Sequence, residues 1–146
     1  MLVVPCWNEA ARLDERAYLS WAQRAPPHVS LLFVDDGSTD DTAAVLARLA
    51  AAAPKRRIST LALAPNGGKA EAVRRGMLAA AATAGNGAAV GYWDADLATP
   101  LEALPEFEEM LDAPGGAFEM VLTAPGIVTL VGGSGTRAGG ILAGGT

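Results

Sequence analysis

The sequence is poor in cysteine, in basic residues and in long uncharged runs, and each shortage excludes a class of protein. Cys6 is its only cysteine, so an internal disulfide is impossible and a reducing compartment is the simplest expectation. Lysine and arginine number 11 against 16 aspartate and glutamate residues, and the net charge of −5 argues against a nucleic-acid binder and against strong attraction to anionic lipid. Uncharged stretches such as residues 120–136 are too short to span a membrane. The first residues lack the basic leader of a signal peptide, so we expect none.

Short apolar runs alternate along the chain with segments of helical spacing. Hydrophobic residues make up 51% of the 146 residues, which is enough for one domain with a core. Apolar runs bounded by turn residues predict strands at 2–5, 29–34, 58–63, 88–93 and 119–123. Helical spacing predicts helices at 13–24, 42–53, 69–84 and about 101–111. The alternation predicts an α/β fold with a Rossmann-like, doubly wound, mostly parallel sheet. If the first strand is central, with the second and third on one side and the fourth on the other, a crevice opens between the first and fourth strands.

Two aspartates follow the fourth predicted strand at a spacing of two residues. Alternation along an extended chain would send Asp94 and Asp96 to the same side, with their Cα atoms about 6–7 Å apart. Like charges this close repel each other, and a divalent cation with oxygen ligands would relieve the repulsion. The alternative is that both residues only end the strand and cap the next helix.

Polar residues also follow the first two predicted strands. Trp7 and Glu9 offer an aromatic ring and an acid, and the ring could stack on a base or simply cover the core. The carboxylate of Asp36 could accept hydrogen bonds from a base or a ribose. Asp40 and Asp41 suit the start of the next helix, and we interpret both as capping residues. Every polar cluster therefore falls at the carboxyl end of a strand, where open α/β sheets bind ligands.

A glycine-rich loop, Asn-Gly-Gly-Lys at residues 66–69, precedes the third predicted helix. Backbone N–H groups and Lys69 would face outward together, which suits an anion such as a diphosphate. The loop is not a Walker A motif, because the leading glycine is missing and Ala70 stands in place of Ser or Thr. No G-x-G-x-x-G follows the first strand, which argues against a dinucleotide-binding Rossmann domain.

Together, four segments resemble the family 2 glycosyltransferases, in particular the branch that makes polyprenyl- or dolichyl-phosphate sugars. In chain order they read V-V-P-C-W-N-E-A-A-R-L, F-V-D-D-G-S-T-D-D-T, N-G-G-K-A-E-A-V-R-R-G-M and W-D-A-D-L-A-T-P, and the resemblance covers about residues 2–112. It implies a GT-A type fold and the inverting transfer of a hexose from a nucleotide-diphosphate sugar to an acceptor, with a polyprenyl or dolichyl phosphate expected. Such a phosphate is already ionised and needs no general base, and we assign no catalytic residue.

The resemblance also implies the members of the site. The nucleotide-sugar site would contain Pro5, Trp7, Asn8, Glu9, Val34, Asp36, Lys69, Asp94 and Ala95. Mg²⁺ or Mn²⁺ would be bound by Asp94 and Asp96, the latter being the D-x-D acid that the family uses. Ala98 stands where mannosyl members often carry a glutamine ligand, so water would complete the coordination and the sugar stays open. Any membrane association would be peripheral, at the cytoplasmic face where nucleotide sugars are found.

The resemblance breaks down after about residue 123. Residues 114–146 hold 10 of the 17 glycines, and we expect a glycosyltransferase domain over 1–123 followed by a poorly ordered or looped tail over 124–146. We hypothesise a truncation or a frameshift at this point, which would leave nucleotide binding with little or no transferase activity. Two alternatives remain open, a non-catalytic nucleotide-binding domain and a metal-dependent sugar nucleotidyltransferase. The second usually opens with a glycine-rich signature after its first strand, and residues 5–9 lack one.

Overall fold

A central sheet with helices on both faces forms the structure. The computed structural model describes residues 1–54, 56–84, 88–112, 127–128 and 141–145. In chain order the elements are β1 (Leu2–Cys6), α1 (Glu15–Arg24), β2 (Leu31–Asp36), α2 (Thr42–Ala52), β3 (Ile58–Leu63), α3 (Lys69–Thr83), β4 (Val90–Trp93), a 3₁₀ turn (Leu101–Ala103), α4 (Leu104–Asp112), β5 (Ile127–Val128) and β6 (Ile141–Gly145). No helix within the described ranges is long and apolar enough to cross a membrane.

The strand order is β3-β2-β1-β4-β6-β5, and all neighbouring pairs are parallel except β5 with β6. The predicted doubly wound, mostly parallel α/β sheet is therefore confirmed. The chain winds outward from β1 to β3 and then crosses back to place β4 on the other side of β1. This reversal is the topological switch point at which open sheets bind ligands.

Period-two alternation distributes the strand residues between two cores. On one face Val4 and Phe33 pack with α1, α2 and α4 in a cluster that includes Tyr18 and Trp93. On the other face Val3 and Val34 pack against α3 in a smaller cluster. A Cβ atom on Gly76 would lie 2.8 Å from Cγ2 of Val34, so glycine lets α3 lie directly on the sheet. That contact fixes the position of α3 on the sheet.

Most predicted elements are present, and the differences lie at their ends. Strand β2 runs two residues past its predicted end, because Asp35 and Asp36 pair with the last two residues of β3. Helix α1 begins at Glu15 instead of residue 13, since the side chain of Asp14 accepts from the backbone N–H of Ala17 and caps the helix. The predicted helix at 101–111 is a 3₁₀ turn followed by α4.

Two short strands from the glycine-rich tail extend the sheet. β6 pairs in parallel with β4, and β5 pairs antiparallel with β6. The sequence predicts loops in this stretch, and the structure differs at these two strands. Their pairing satisfies backbone N–H and C=O groups on the side of β4 that faces away from β1. The strand predicted at 119–123 lies outside the described residues.

Candidate functional site

A cavity of about 400 Å³ lies at the carboxyl ends of β1, β2 and β4. Its size is in the range of small-molecule sites. Most of the residues singled out from the sequence line it, namely Pro5, Trp7, Glu9, Asp36, Lys69, Asp94, Ala95 and Asp96. The order of the strands brings these residues together, since most of them lie at or just after the carboxyl ends of β1, β2 and β4, which are far apart in the sequence.

Trp7 lies at the rim of this cavity with 55% of its surface exposed. Of the two interpretations of its ring, covering the core is therefore wrong. An aromatic face that lines a cavity and remains open to solvent is available for stacking on a planar ligand.

Two of the predicted site residues do not line the cavity. Val34 is fully buried and packs against α3. Asn8 lies in the loop after β1 with a φ of 53°, and its side-chain oxygen accepts from the backbone N–H of Thr39 at 2.9 Å. Its own backbone N–H donates to the hydroxyl of Ser38. In this structure Asn8 joins two loops, and Val34 supports the sheet beneath the cavity.

The loop after β1 is further fixed by the start of α2. The buried hydroxyl oxygen of Thr42 accepts from the backbone N–H groups of Glu9 and Ala10 at 2.8 and 3.0 Å. Asp40 accepts in turn from the backbone N–H of Thr42, so its predicted capping role is confirmed. The hydrogen bond from the Thr42 hydroxyl lowers the pKa of Asp40 below its usual value. Asp41 occupies the N-cap position of α2, as predicted, but its side chain makes no cap hydrogen bond.

Asp36 connects the end of β2 to the glycine-rich loop. Its two carboxylate oxygens accept from the backbone N–H of Gly67 at 3.0 Å and of Gly68 at 2.7 Å, and its backbone carbonyl accepts from the side chain of Asn66. The prediction that these loop N–H groups face outward for an anion is therefore wrong for Gly67 and Gly68. A buried carboxylate must be satisfied by donors from the protein, and the glycine N–H groups supply them.

The two aspartates after β4 lie in a turn and not on an extended strand. The backbone N–H of Leu97 donates to the carbonyl of Asp94, and Leu97 has a φ of 56°. The side chain of Asp96 accepts from the backbone N–H of Ala98 at 3.0 Å, which is a local turn bond. The extended geometry expected for this pair is wrong because β4 ends at Trp93. The alternative of helix capping is also wrong for Asp96, since the next helical residue is Leu101.

Two aromatic side chains hold this turn in place. The hydroxyl of the fully buried Tyr18 donates to the carbonyl of Ala95 at 3.1 Å. The indole N–H of Trp93 donates to the carbonyl of Thr99 at 2.7 Å. Burial, with the nearby carboxylates as a smaller cause, raises the pKa of Tyr18, so its hydroxyl stays a donor at physiological pH. Sequence reasoning did not select Tyr18, because only the fold brings it within reach of a residue 77 positions later.

Charges of both signs line the cavity, with acids in excess. The lining residues described include four acids, Glu9, Asp36, Asp94 and Asp96, and two basic residues, Arg12 and Lys69. Lys69 Nζ lies 2.5 Å from Asp94 Oδ1, and Arg12 Nη2 lies 2.6 Å from Glu9 Oε1. Arg12 was not singled out from the sequence, because a spacing of three residues indicates an ion pair on a helix and Glu9 and Arg12 lie in the loop after β1. The lining groups carry a formal net charge of −2, which would repel a diphosphate unless a further cation is bound.

Asp94 and Asp96 have the donor chemistry that a hard divalent cation requires. In the part of the chain that the structure describes, no group of three or more His, Cys, Asp or Glu side chains could hold a metal ion. Mg²⁺, however, is usually bound by one or two carboxylates together with substrate phosphates and water, and not by an all-protein cage. Two carboxylates lining one cavity therefore fit a cation that is shared with a diphosphate.

Residues 1–124 match the glycosyl transferase family 2 domain. The chain belongs to glycosyl transferase family 2. A relative from Sodalis glossinidius (strain morsitans), an undecaprenyl-phosphate 4-deoxy-4-formamido-L-arabinose transferase, is 35% identical over 111 residues. That alignment covers 75% of this chain and 32% of the relative, so the chain spans about a third of the relative's length. The family 2 match and the described sheet agree with the GT-A type fold.

Proposed function

We propose that this family 2 chain binds a nucleotide-diphosphate sugar in the cavity between β1 and β4 and belongs to a glycosyltransferase that moves the hexose, with inversion, to a polyprenyl phosphate. The observation that carries the proposal is the grouping of Trp7, Lys69, Asp94 and Asp96 around one cavity at the topological switch point. The name of the Sodalis relative, an undecaprenyl-phosphate sugar transferase, supports a lipid-phosphate acceptor.

Each of these residues has a part that follows from its chemistry. Trp7 would stack on the base of the nucleotide, and Lys69 would pair with its diphosphate. Asp94 and Asp96 would hold Mg²⁺ or Mn²⁺, which when bound neutralises charge on the departing nucleoside diphosphate. Tyr18 would keep both aspartates in position through the carbonyl of Ala95.

The acidic residues of the cavity also indicate which kind of acceptor the site suits. The carboxylate of Asp36 already accepts two backbone N–H groups, and that of Glu9 is paired with Arg12. Neither carboxylate is available to act as a general base. A sugar hydroxyl acceptor would need such a base, whereas a lipid phosphate is already ionised. This difference supports the lipid-phosphate acceptor, and with it a site of action at the cytoplasmic surface of a membrane.

Binding without transfer is a second candidate function for the chain as it stands. All the residues to which we give a part in donor binding lie between Trp7 and Asp96, and we assign none to the acceptor. A non-catalytic nucleotide-binding chain would therefore show the same donor cavity. Release of sugar from a nucleotide sugar in the presence of a polyprenyl phosphate distinguishes the two.

The proposal is tested by titrating the chain with UDP and GDP, with and without Mn²⁺, in a calorimeter. We expect binding of one nucleotide to depend on Mn²⁺ and to be lost in Asp96→Ala. Asp41→Ala removes an acid that does not line the cavity and should keep the binding. Binding that is independent of Mn²⁺ and unchanged in Asp96→Ala would refute the proposal.

A further inference from the structure

One ion pair in the cavity joins two residues that the proposed function assigns to different ligands. Lys69 is the first residue of α3, and its ammonium lies 2.5 Å from Oδ1 of Asp94. Asp94 keeps only 13% of its side chain exposed, whereas Lys69 keeps 56%. The carboxylate is therefore largely shielded from solvent, whereas more than half of the lysine side chain is open to it.

This lysine occupies the place that a divalent cation would need. An ammonium in direct contact with a carboxylate oxygen is within a few ångströms of any cation bound to that carboxylate, and the two positive charges repel each other. A cation can bind to Asp94 with full strength only if Lys69 moves away. A diphosphate supplies the new partner, because its oxygens are the acceptors that a lysine ammonium prefers.

The ion pair is not needed to hold α3 in place. The helix is fixed on the sheet by the close contact of Gly76 with Val3 and Val34, and its preceding loop is fixed by the bonds from Gly67 and Gly68 to Asp36. More than half of the lysine side chain is open to solvent, so it is not packed in place by its neighbours. Lys69 can therefore leave Asp94 without disturbing the helix.

We propose that Lys69 acts as a placeholder cation, which occupies the Asp94 carboxylate until a nucleotide diphosphate draws the ammonium away and admits the divalent cation. The inference rests on the proposed function and adds a coupling between its two ligands. Metal alone binds weakly because it must displace the lysine. Metal and diphosphate bind cooperatively. The diphosphate draws Lys69 away from Asp94 and so makes room for the metal, and the metal neutralises negative charge on the diphosphate.

The test measures the affinity for Mn²⁺ alone, from the electron paramagnetic resonance signal of the free ion, for the full chain and for Lys69→Gln. Removing the competing ammonium should tighten Mn²⁺ binding about 10-fold. The same variant should bind the Mn²⁺–nucleotide pair more weakly, since the diphosphate loses its lysine. Lys69→Arg retains the charge and should leave Mn²⁺ binding as weak as in the parent chain.

Arg12→Gln is the matched control, because it removes one positive charge from the same cavity at a residue paired with Glu9 and not with Asp94. It should tighten Mn²⁺ binding by much less than Lys69→Gln. Equal gains in the two variants, or no gain in Lys69→Gln, would overturn the placeholder cation. These outcomes concern Mn²⁺ alone. Failure of the proposed function appears separately, as absence of Mn²⁺-dependent UDP or GDP binding by the parent chain.

Discussion

Replacing Asp36 with asparagine tests the connection between β2 and the glycine-rich loop. The carboxylate of Asp36 is 2% exposed and accepts from the N–H groups of Gly67 and Gly68. Asparagine retains one acceptor oxygen and turns the other into an NH₂ group, which would face a backbone N–H. One charge-assisted hydrogen bond is lost and the other becomes neutral, so the free energy of unfolding should fall by about 2–4 kcal/mol.

The assay is equilibrium unfolding in urea, with amide hydrogen exchange as a local readout. We expect a lower urea midpoint and faster exchange at Gly67 and Gly68 in Asp36→Asn. The matched control is Asp41→Asn, at an N-cap without a side-chain bond, which should change the free energy of unfolding by less than about 0.5 kcal/mol. If Asp36→Asn unfolded at the parent midpoint with unchanged exchange, the two hydrogen bonds would not hold the loop.

Three further substitutions probe the packing, the aspartate turn and an exposed charge cluster. Gly76→Ala should lower the free energy of unfolding by about 1–3 kcal/mol in urea, because its methyl group would overlap the sheet beneath α3. Tyr18→Phe should weaken Mn²⁺-dependent nucleotide binding in the calorimeter, since the carbonyl of Ala95 loses its donor. Hydrogen bonds from Arg74 and Arg75 lower the pKa of Glu71 to about 2, so this carboxylate stabilises the folded chain above its usual pKa and the effect is lost as the pH falls towards 2. Glu71→Gln should therefore lower the urea midpoint at pH 7. The difference in midpoint between the variant and the parent chain should narrow as the pH falls towards 2.

Each of these has its own control. The effect of Gly76→Ala should shrink when Val3→Ala makes room for the new methyl group, and an unchanged effect would disprove the steric explanation. Tyr92→Phe also removes a hydroxyl, one without a hydrogen bond to any described residue. Equal loss of nucleotide binding in both tyrosine variants would argue against a positioning role for Tyr18. A Glu71→Gln difference that did not vary with pH would exclude the ion-pair explanation.

The order of the first four strands and the location of the cavity could be predicted from the sequence. Apolar runs such as that of β2 end abruptly in polar residues, and a parallel sheet brings all such ends to one edge. The continuous apolar run at 29–34, most of which forms β2, is likewise typical of a strand buried on both faces. Apolar runs and their polar ends are local sequence patterns, and the geometry of a parallel sheet determines where such segments lie.

The connections inside the cavity could not be predicted, because each depends on residues far apart in the chain. Asp36 meets the N–H of Gly67 across 31 positions, and Tyr18 meets Ala95 across 77. The positive φ of Leu97 is not a preference of leucine and follows from the turn that the surrounding structure imposes. Sequence patterns therefore predicted most of the residues that line the cavity, and the fold decided which of them hold one another in place.

The central claim is that one divalent cation joins Asp94 and Asp96 to the diphosphate of a nucleotide in the cavity at the switch point. Anomalous scattering from crystals grown with Mn²⁺ and UDP or GDP tests it most directly. We predict a Mn²⁺ peak roughly 2 Å from oxygens of both the diphosphate and at least one of these carboxylates, with the base against Trp7 and Lys69 moved from Asp94 to the phosphates. A nucleotide bound in another part of the chain, or a Mn²⁺ peak away from both aspartates, would contradict the account.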